Sequence, residues 1–311
     1  MARDAVYRRR RLVAFGGAAA AVVLVVVLVS SGGSDNNAAT GTAGAKPAPP
    51  PQLPRGGRTI FPRYEVVAYY GAPQDPQLGE LGIGTPAHAG RRLLRQAAPY
   101  ARDSGRKVMP AMELLADIAD HDPGDDGLYR TRQSDAIIGR YLKAARRIKA
   151  LLILDIQPGH AGFFDEARHL ERWLRLPDVS LALDPEWATP LAIPGTVIGS
   201  VDVHEVNAIS FWLEQIVRRH RLPQKLLVIH RFTQNAIAGE TDLKPRRDVA
   251  VTVNVDGFGA NNIKVAKYKT YAQRRPGLHN GFKLFYHEDP VTMKPYRAMR
   301  IRPRPELIVY E

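Results

Sequence analysis

The stretch VSLALDPEWATP ends an apolar run in two acids two residues apart, Asp184 and Glu186, followed at once by Trp187. A second stretch, ALLILDIQPG, does the same with Asp155 and Gln157, so both read L-x-L-D-x-[Q/E]. Residues two apart in a strand project to one face, and neighbouring strands lie about 5 Å apart. The four side chains are therefore expected to form one polar cluster, provided Pro185 does not break the strand between Asp184 and Glu186. Other apolar runs finish in a similar way. Tyr70 ends YEVVAYY, Glu113 is the last residue but one of KVMPAMEL, and His230 lies in KLLVIHRF with Gln234 beyond it. Asp256 follows VAVTVNV, and His287, Glu288 and Asp289 follow GFKLFY.

Crowded carboxyl groups in a partly dry cleft have their pKa values driven apart, so that one donates a proton while another attacks or activates water. That division of labour is what cleavage of a glycosidic bond requires. In such a site Glu186 is the expected general acid and Asp184 tunes it. Asp155 or Asp256 is the second carboxylate, and His230 and Gln157 position the substrate. Tyr70 and Trp187 offer faces to sugar rings, with Glu113 and Glu288 as further substrate contacts. Tyr69, Phe163, Phe164, Phe258 and Tyr286 are aromatic neighbours whose alternative role is core packing. Acids at strand ends also pair with arginines or cap helices, which would make the same set structural. His160, His230, Asp256 and His287 form a rival set for zinc, but neither H-x-H on the first strand nor HExxH occurs, and no metal is expected. DGFGA lacks the Lys and Ser/Thr of a P-loop, and no G-x-S-x-G elbow is present. No cofactor is implied.

Positioning such a set takes strands that deliver their ends to one place. From residue 64 onward, short runs rich in β-formers alternate with helical stretches, and the runs are nearly continuous in apolar character, as strands covered on both faces are. Helical spacing is plain in SDAIIGRYLKAARRIKA, with Ser134 as cap. It is plain again in DVHEVNAISFWLEQIVRRHRLP, where Asp202 and Glu205 resemble a capping box and Pro223 stops the helix. Seven strands are evident. ELIVYE (306–311) is the preferred eighth and TVIGSVD (196–202) the alternative. The pattern predicts an α/β fold, a single (β/α)8 TIM-barrel-like domain over 63–311, with an open doubly wound sheet as the other arrangement. The first strand is not followed by the glycine-rich phosphate turn that an open sheet usually carries.

The beginning of the chain is different material. Residues 1–11 carry five arginines and one acid, and residues 12–31 carry no charge. Twenty helical residues span about 30 Å, the thickness of a bilayer core. The arginines predict a cytoplasmic amino terminus and an extracytoplasmic remainder; a cleaved secretory signal is the alternative. Residues 32–62, rich in Pro, Gly and Ala, read as a disordered tether reaching less than about 100 Å. There is no cysteine, which excludes disulfides and thiolate metal sites. The net charge of +13 is partly the tail and partly clusters such as KPRR (244–247) and RIRPRPE (300–306). Such a surface suits an anionic wall polymer or membrane. No nucleic-acid-binding signature accompanies it, so nucleic acid is not an expected partner.

The D-x-E ending of the fourth strand resembles that of the chitinase-type glycoside hydrolases, whose motif runs D-x-D-x-E. Ala182 stands where that motif has its first aspartate. Over residues 64–311, LDIQPG, LALDPEW, LPQKLLVIHRF and VNVDGFG resemble secreted or membrane-anchored actinobacterial proteins with a glycosidase-like barrel. The resemblance implies a glycan or anionic cell-wall polymer as partner, a membrane attachment through the amino-terminal helix, and Glu186 and Asp184 as the carried-over acid and its helper.

Overall fold

A computed structural model describes residues 49–311. The basic tail, the apolar segment 12–31 and most of the tether lie outside these residues. Among the described residues no helix is long and apolar enough to cross a membrane.

Eight parallel strands close into a barrel. They are β1 (Tyr64–Gly71), β2 (Lys107–Ala119), β3 (Leu151–Ile156), β4 (Val179–Leu183), β5 (Lys225–Arg231), β6 (Val249–Val255), β7 (His279–Leu284) and β8 (Leu307–Tyr310). Each pairs with the next in chain order, and β8 returns to β1 with Leu307 opposite Val66. The barrel excludes the open sheet, and the eighth strand comes from ELIVYE. TVIGSVD is a loop ending in the two-residue strand Val201–Asp202, which pairs with Ile237–Ala238. A short strand, Arg130–Arg132, extends the sheet antiparallel to the end of β2.

Helices α1 (Pro86–Ser104), α2 (Asp135–Arg147), α3 (Phe163–His169), α4 (Glu171–Leu174), α5 (Val203–Arg219), α6 (Asn261–Tyr271) and α7 (Pro295–Ala298) connect the strands. Ser134 caps α2 as expected, its Oγ accepting from Ile137 N at 3.4 Å. Asp202 caps α5 by accepting from His204 N at 2.7 Å. Glu205 completes no box with it. Its Oε1 instead accepts from Phe164 N at 3.1 Å, serving the start of α3 across the loop.

Alternation divides the core in two. Val66, Ala68, Met109, Ala111, Ile153, Ala182, Val228 and Val309 fill the lumen, while Val67, Leu152, Leu181, Ile229 and Val253 face the helices. Tyr69, Phe163 and Phe164 belong to this outer layer, and Tyr286 packs against it, so they serve as packing.

The tether stops well short of residue 62. Leu53, Ile60 and Phe61 are 3%, 0% and 5% exposed and pack against the lumen core, forming a plug at the end where the strands begin. Arg55 donates to the carbonyls of Val108 and Lys149 at 3.1 and 3.2 Å, and Ile60 N donates to Gln224 Oε1 at 2.7 Å. A barrel end left open would wet its apolar lumen; three large apolar residues in an otherwise Pro- and Gly-rich stretch close it. Ile60→Ala is expected to cost about 2–5 kcal/mol in chemical unfolding, whereas exposed Thr59→Ala stays within about 0.5 kcal/mol.

Candidate active site at the barrel mouth

Near the far end of every barrel strand an inward-facing position carries a polar or ionisable residue. Tyr70 comes from β1, Glu113 from β2, Asp155 from β3, Asp184 just past β4, and His230 from β5. Asp256 stands just past β6, Lys283 is on β7, and Glu311 follows β8. All eight are less than 9% exposed. Alternation along each strand puts them above the apolar lumen, so the acids lie on top of a dry column rather than in solvent.

Five of these residues form a chain of alternating charge. Glu113 Oε1 lies 3.1 Å from His230 Nε2, and His230 Nδ1 lies 3.1 Å from Asp256 Oδ2. Lys283 Nζ is 3.0 Å from Asp256 Oδ2 and 2.8 Å from Glu311 Oε2. The same ammonium sits 3.8 Å from the centre of the Tyr70 ring. Burial and Lys283 both oppose charge on His230, but its bonds to Asp256 and Glu113, helped by Asp184, hold the imidazolium well above its usual pKa. Burial alone would raise Asp256; Lys283 and His230 reverse that and hold it far below the ordinary carboxylate range. Burial would lower Lys283, yet Asp256, Glu311 and Asp184 keep it well above normal.

Asp155 and Asp184 sit beside this chain without a cation of their own. Burial raises Asp155 well above its ordinary value, and Asp184 and Glu113 push it further against the pull of His230 and Lys283. Neither Asp155 oxygen has a hydrogen-bond partner. Burial raises Asp184 as well, opposed by His230 and Lys283. Its Oδ2 accepts from Tyr70 Oη and Gln157 Nε2, both at 3.4 Å, and Gln157 also donates to Tyr70 Oη at 3.1 Å. Gln157 is fixed in turn by accepting from Ala119 N. The expected grouping of Asp155, Gln157 and Asp184 is therefore realised.

Glu186 takes a different place from Asp184. The strand ends at Leu183, Pro185 starts a 3-10 turn (Pro185–Trp187), and the alternation rule lapses there. Asp184 drops into the floor, 1% exposed, while Glu186 and Trp187 rise to the wall of a cavity of about 130 Å3. Tyr70, Gln157, Lys283, Glu311, Asp120 and His121 also line it. A single water needs about 10–15 Å3 on this measure, so the space takes on the order of ten waters or one small polar ring.

Glu288 does not join the group. It lies beyond Leu284, half-exposed and away from the cavity lining, because the chain has left the barrel by Phe285. Asp289 beside it is buried against Lys264 Nζ at 2.7 Å, a structural pair. The zinc set is dispersed. His287 is exposed, and His160 stacks on Tyr129 at 4.2 Å with Nε2 against the Ala192 carbonyl. No three His or acidic residues are disposed to hold a metal ion among the described residues. Asp117, also deeply buried, is turned out of the lumen by an irregularity after Leu115 and faces Arg130, Arg132 and Glu166.

Two groups of the floor, Lys283 and Glu311, went unremarked among the strand-end acids. Lys283 had a sequence signal: a lysine in the middle of GFKLF is out of place in a buried strand unless an acid awaits it.

These assignments separate two otherwise similar substitutions. Burial favours the neutral form of Asp155, so Asp155→Asn is expected to match the parent at about pH 4 and to be the more stable of the two at neutral pH. Asp256→Asn leaves His230 and Lys283 without their shared carboxylate and is expected to cost about 3–5 kcal/mol. The pH dependences have opposite sign. The raised Asp155 contributes stability that is full below about pH 4 and is lost as pH rises through its folded pKa. The parent therefore weakens relative to Asp155→Asn from about pH 4 upward. Asp256, being depressed, contributes above about pH 4 and loses its contribution as pH falls. Unfolding midpoints in denaturant measured across pH check both.

No family model matches the chain, and no curated protein matches it. Among solved structures, the Clostridial cellulose synthase subunit Z (CcsZ) from Clostridioides difficile is similar at 11% identity, over 68% of this chain and 82% of that one. The TM-score of 0.35 is too low for that likeness to say anything about this site.

Proposed function

We propose that the barrel mouth binds a glycan and hydrolyses it by carboxylate acid/base chemistry, in a domain held outside the cytoplasmic membrane by the apolar segment 12–31. The observation that carries this reading is the cavity wall. One turn presents a carboxyl group and a large aromatic ring, Glu186 and Trp187, beside the amide of Gln157 and the hydroxyl of Tyr70. A sugar asks for that combination: a flat apolar face for the ring, polar groups for its hydroxyls, and an acid for the bridging oxygen.

In this reading Glu186 donates the proton to the leaving oxygen. Asp155, Asp184 and Asp256 are sealed beneath the cavity, at 0%, 1% and 3% exposure, and do not meet the substrate. They set the charge of the floor on which Lys283 and Glu311 stand. The water-activating carboxylate is then Glu311, which lines the cavity on its bridge to Lys283.

The sealing of those three acids also favours a second reading, a barrel that binds glycan and does not turn it over. Reducing-end release from cell-wall glycan fragments separates the two. The parent protein is expected to release ends, and Glu186→Gln to lose about 100-fold or more in rate while still binding oligosaccharide. Equal rates for parent and variant would remove Glu186 as the acid. Binding without release by the parent, abolished by Trp187→Ala, would establish the second reading instead.

A further inference from the structure

A parallel barrel gathers the start of every strand at one end, opposite the cavity. The segments feeding those starts are 55–63, 102–107, 146–150, 175–178, 218–224, 244–248, 272–278 and 300–306. Every exposed charged side chain in them is basic, with Arg63, Lys107, Lys149, Arg221, Arg247 and Arg275 each from a different segment. Their acids are Asp103, Asp178, Asp248 and Glu306, each buried or half-buried. The last three are already bridged to Arg146, Arg218 and Arg106. At the cavity end exposed charge is mostly acidic: Asp122, Asp125, Asp126, Asp202 and Asp242 are exposed there, beside Arg132 and Lys294.

Between the starts of β7 and β8 the basic end opens into a cleft of about 570 Å3, lined by Arg274, Arg275, Arg302 and Arg304. Its acid, Glu306, is bonded to His279 and Arg106, and Arg304 reaches Glu65 at 3.0 Å. Arg274, Arg275 and Arg302 are exposed around it. Arg274, Arg275 and Arg302 each give donors to backbone carbonyls and Arg304 pairs with Glu65, and their remaining N–H groups and positive charge suit the oxygens of a phosphodiester.

The chain enters the domain at this same end, through the plug of residues 53–61. The seventeen residues 32–48 span at most about 60 Å, so a bilayer crossed by residues 12–31 lies within that distance of the basic end. We propose that the N-terminal end of the barrel docks on the anionic phosphate headgroups of a phospholipid bilayer, with the four-arginine cleft receiving one of them. The charge runs round the whole rim rather than along one groove, which fits a plane of headgroups better than a single threaded polymer. The proposal rests on the anchored reading for its choice of surface. It is independent of the glycan chemistry, because none of the basic residues it invokes lines the cavity.

The test uses the full chain reconstituted into phosphatidylcholine vesicles, with and without phosphatidylglycerol, carrying a dansyl-labelled lipid. Energy transfer from the native tryptophans reports how closely the domain lies on the bilayer. Transfer is expected to rise with phosphatidylglycerol and to fall as salt increases from about 20 mM to about 500 mM. The double variant Arg274→Glu, Arg275→Glu should need about tenfold more phosphatidylglycerol for the same transfer, with unchanged thermal unfolding and unchanged action on soluble glycan. Should that pair fail to fold, Lys107→Glu with Arg247→Glu makes the same test at exposed positions away from the cleft. Equal transfer in both vesicle types overturns the proposal, as does an unshifted titration in a variant that unfolds like the parent. Equal transfer together with binding to a soluble anionic polyol-phosphate polymer would assign the surface to the wall instead.

Discussion

Charges pointed into a closed barrel have no water to solvate them, so they must neutralise one another. Here five carboxyl groups meet two cations at one level, and the arrangement works because the cations alternate with acids along Glu113, His230, Asp256, Lys283 and Glu311. An isolated charge at that depth would cost several kcal/mol. The surplus is absorbed by protons, since burial drives Asp155 and Asp184 toward their neutral forms.

The balance also creates two tiers. The lower tier is fixed, with Asp155, Asp184 and Asp256 buried beneath the cavity and Lys283 and Glu311 bridged at its floor. The upper tier, Glu186 and Trp187 on a single turn after Pro185, borders open space. The lower tier supplies a field that does not have to reorganise when a ligand arrives. Gly281 contributes to this packing. A Cβ there would come within 2.5 Å of Asn254 Oδ1, and Asn254 in turn contacts the ring of His230.

Much of this was legible in the chain itself. Alternation and the turn residues located all eight strands, and reading their ends recovered Tyr70, Glu113, Asp155, Asp184, His230 and Asp256, because a barrel turns sequence position into height. What escaped was whatever depends on a partner elsewhere. Lys283 lies one residue short of its strand's end and makes sense only beside Asp256. Glu311 looked like the tail of a strand. Glu288 stands off the mouth because its strand has already ended, and Glu186 parts from Asp184 because the strand stops at Leu183 before Pro185. The plug was hidden because Leu53, Ile60 and Phe61 are scattered through a stretch whose overall composition says tether.

A body with one positive and one negative pole feels a torque near any anionic plane before it touches it. This barrel would arrive positive pole first, with its cavity turned to the far side. A long polymer could then reach the mouth without slipping between protein and plane. The mostly acidic pole would meanwhile repel polyanions and admit neutral or amine-bearing chains.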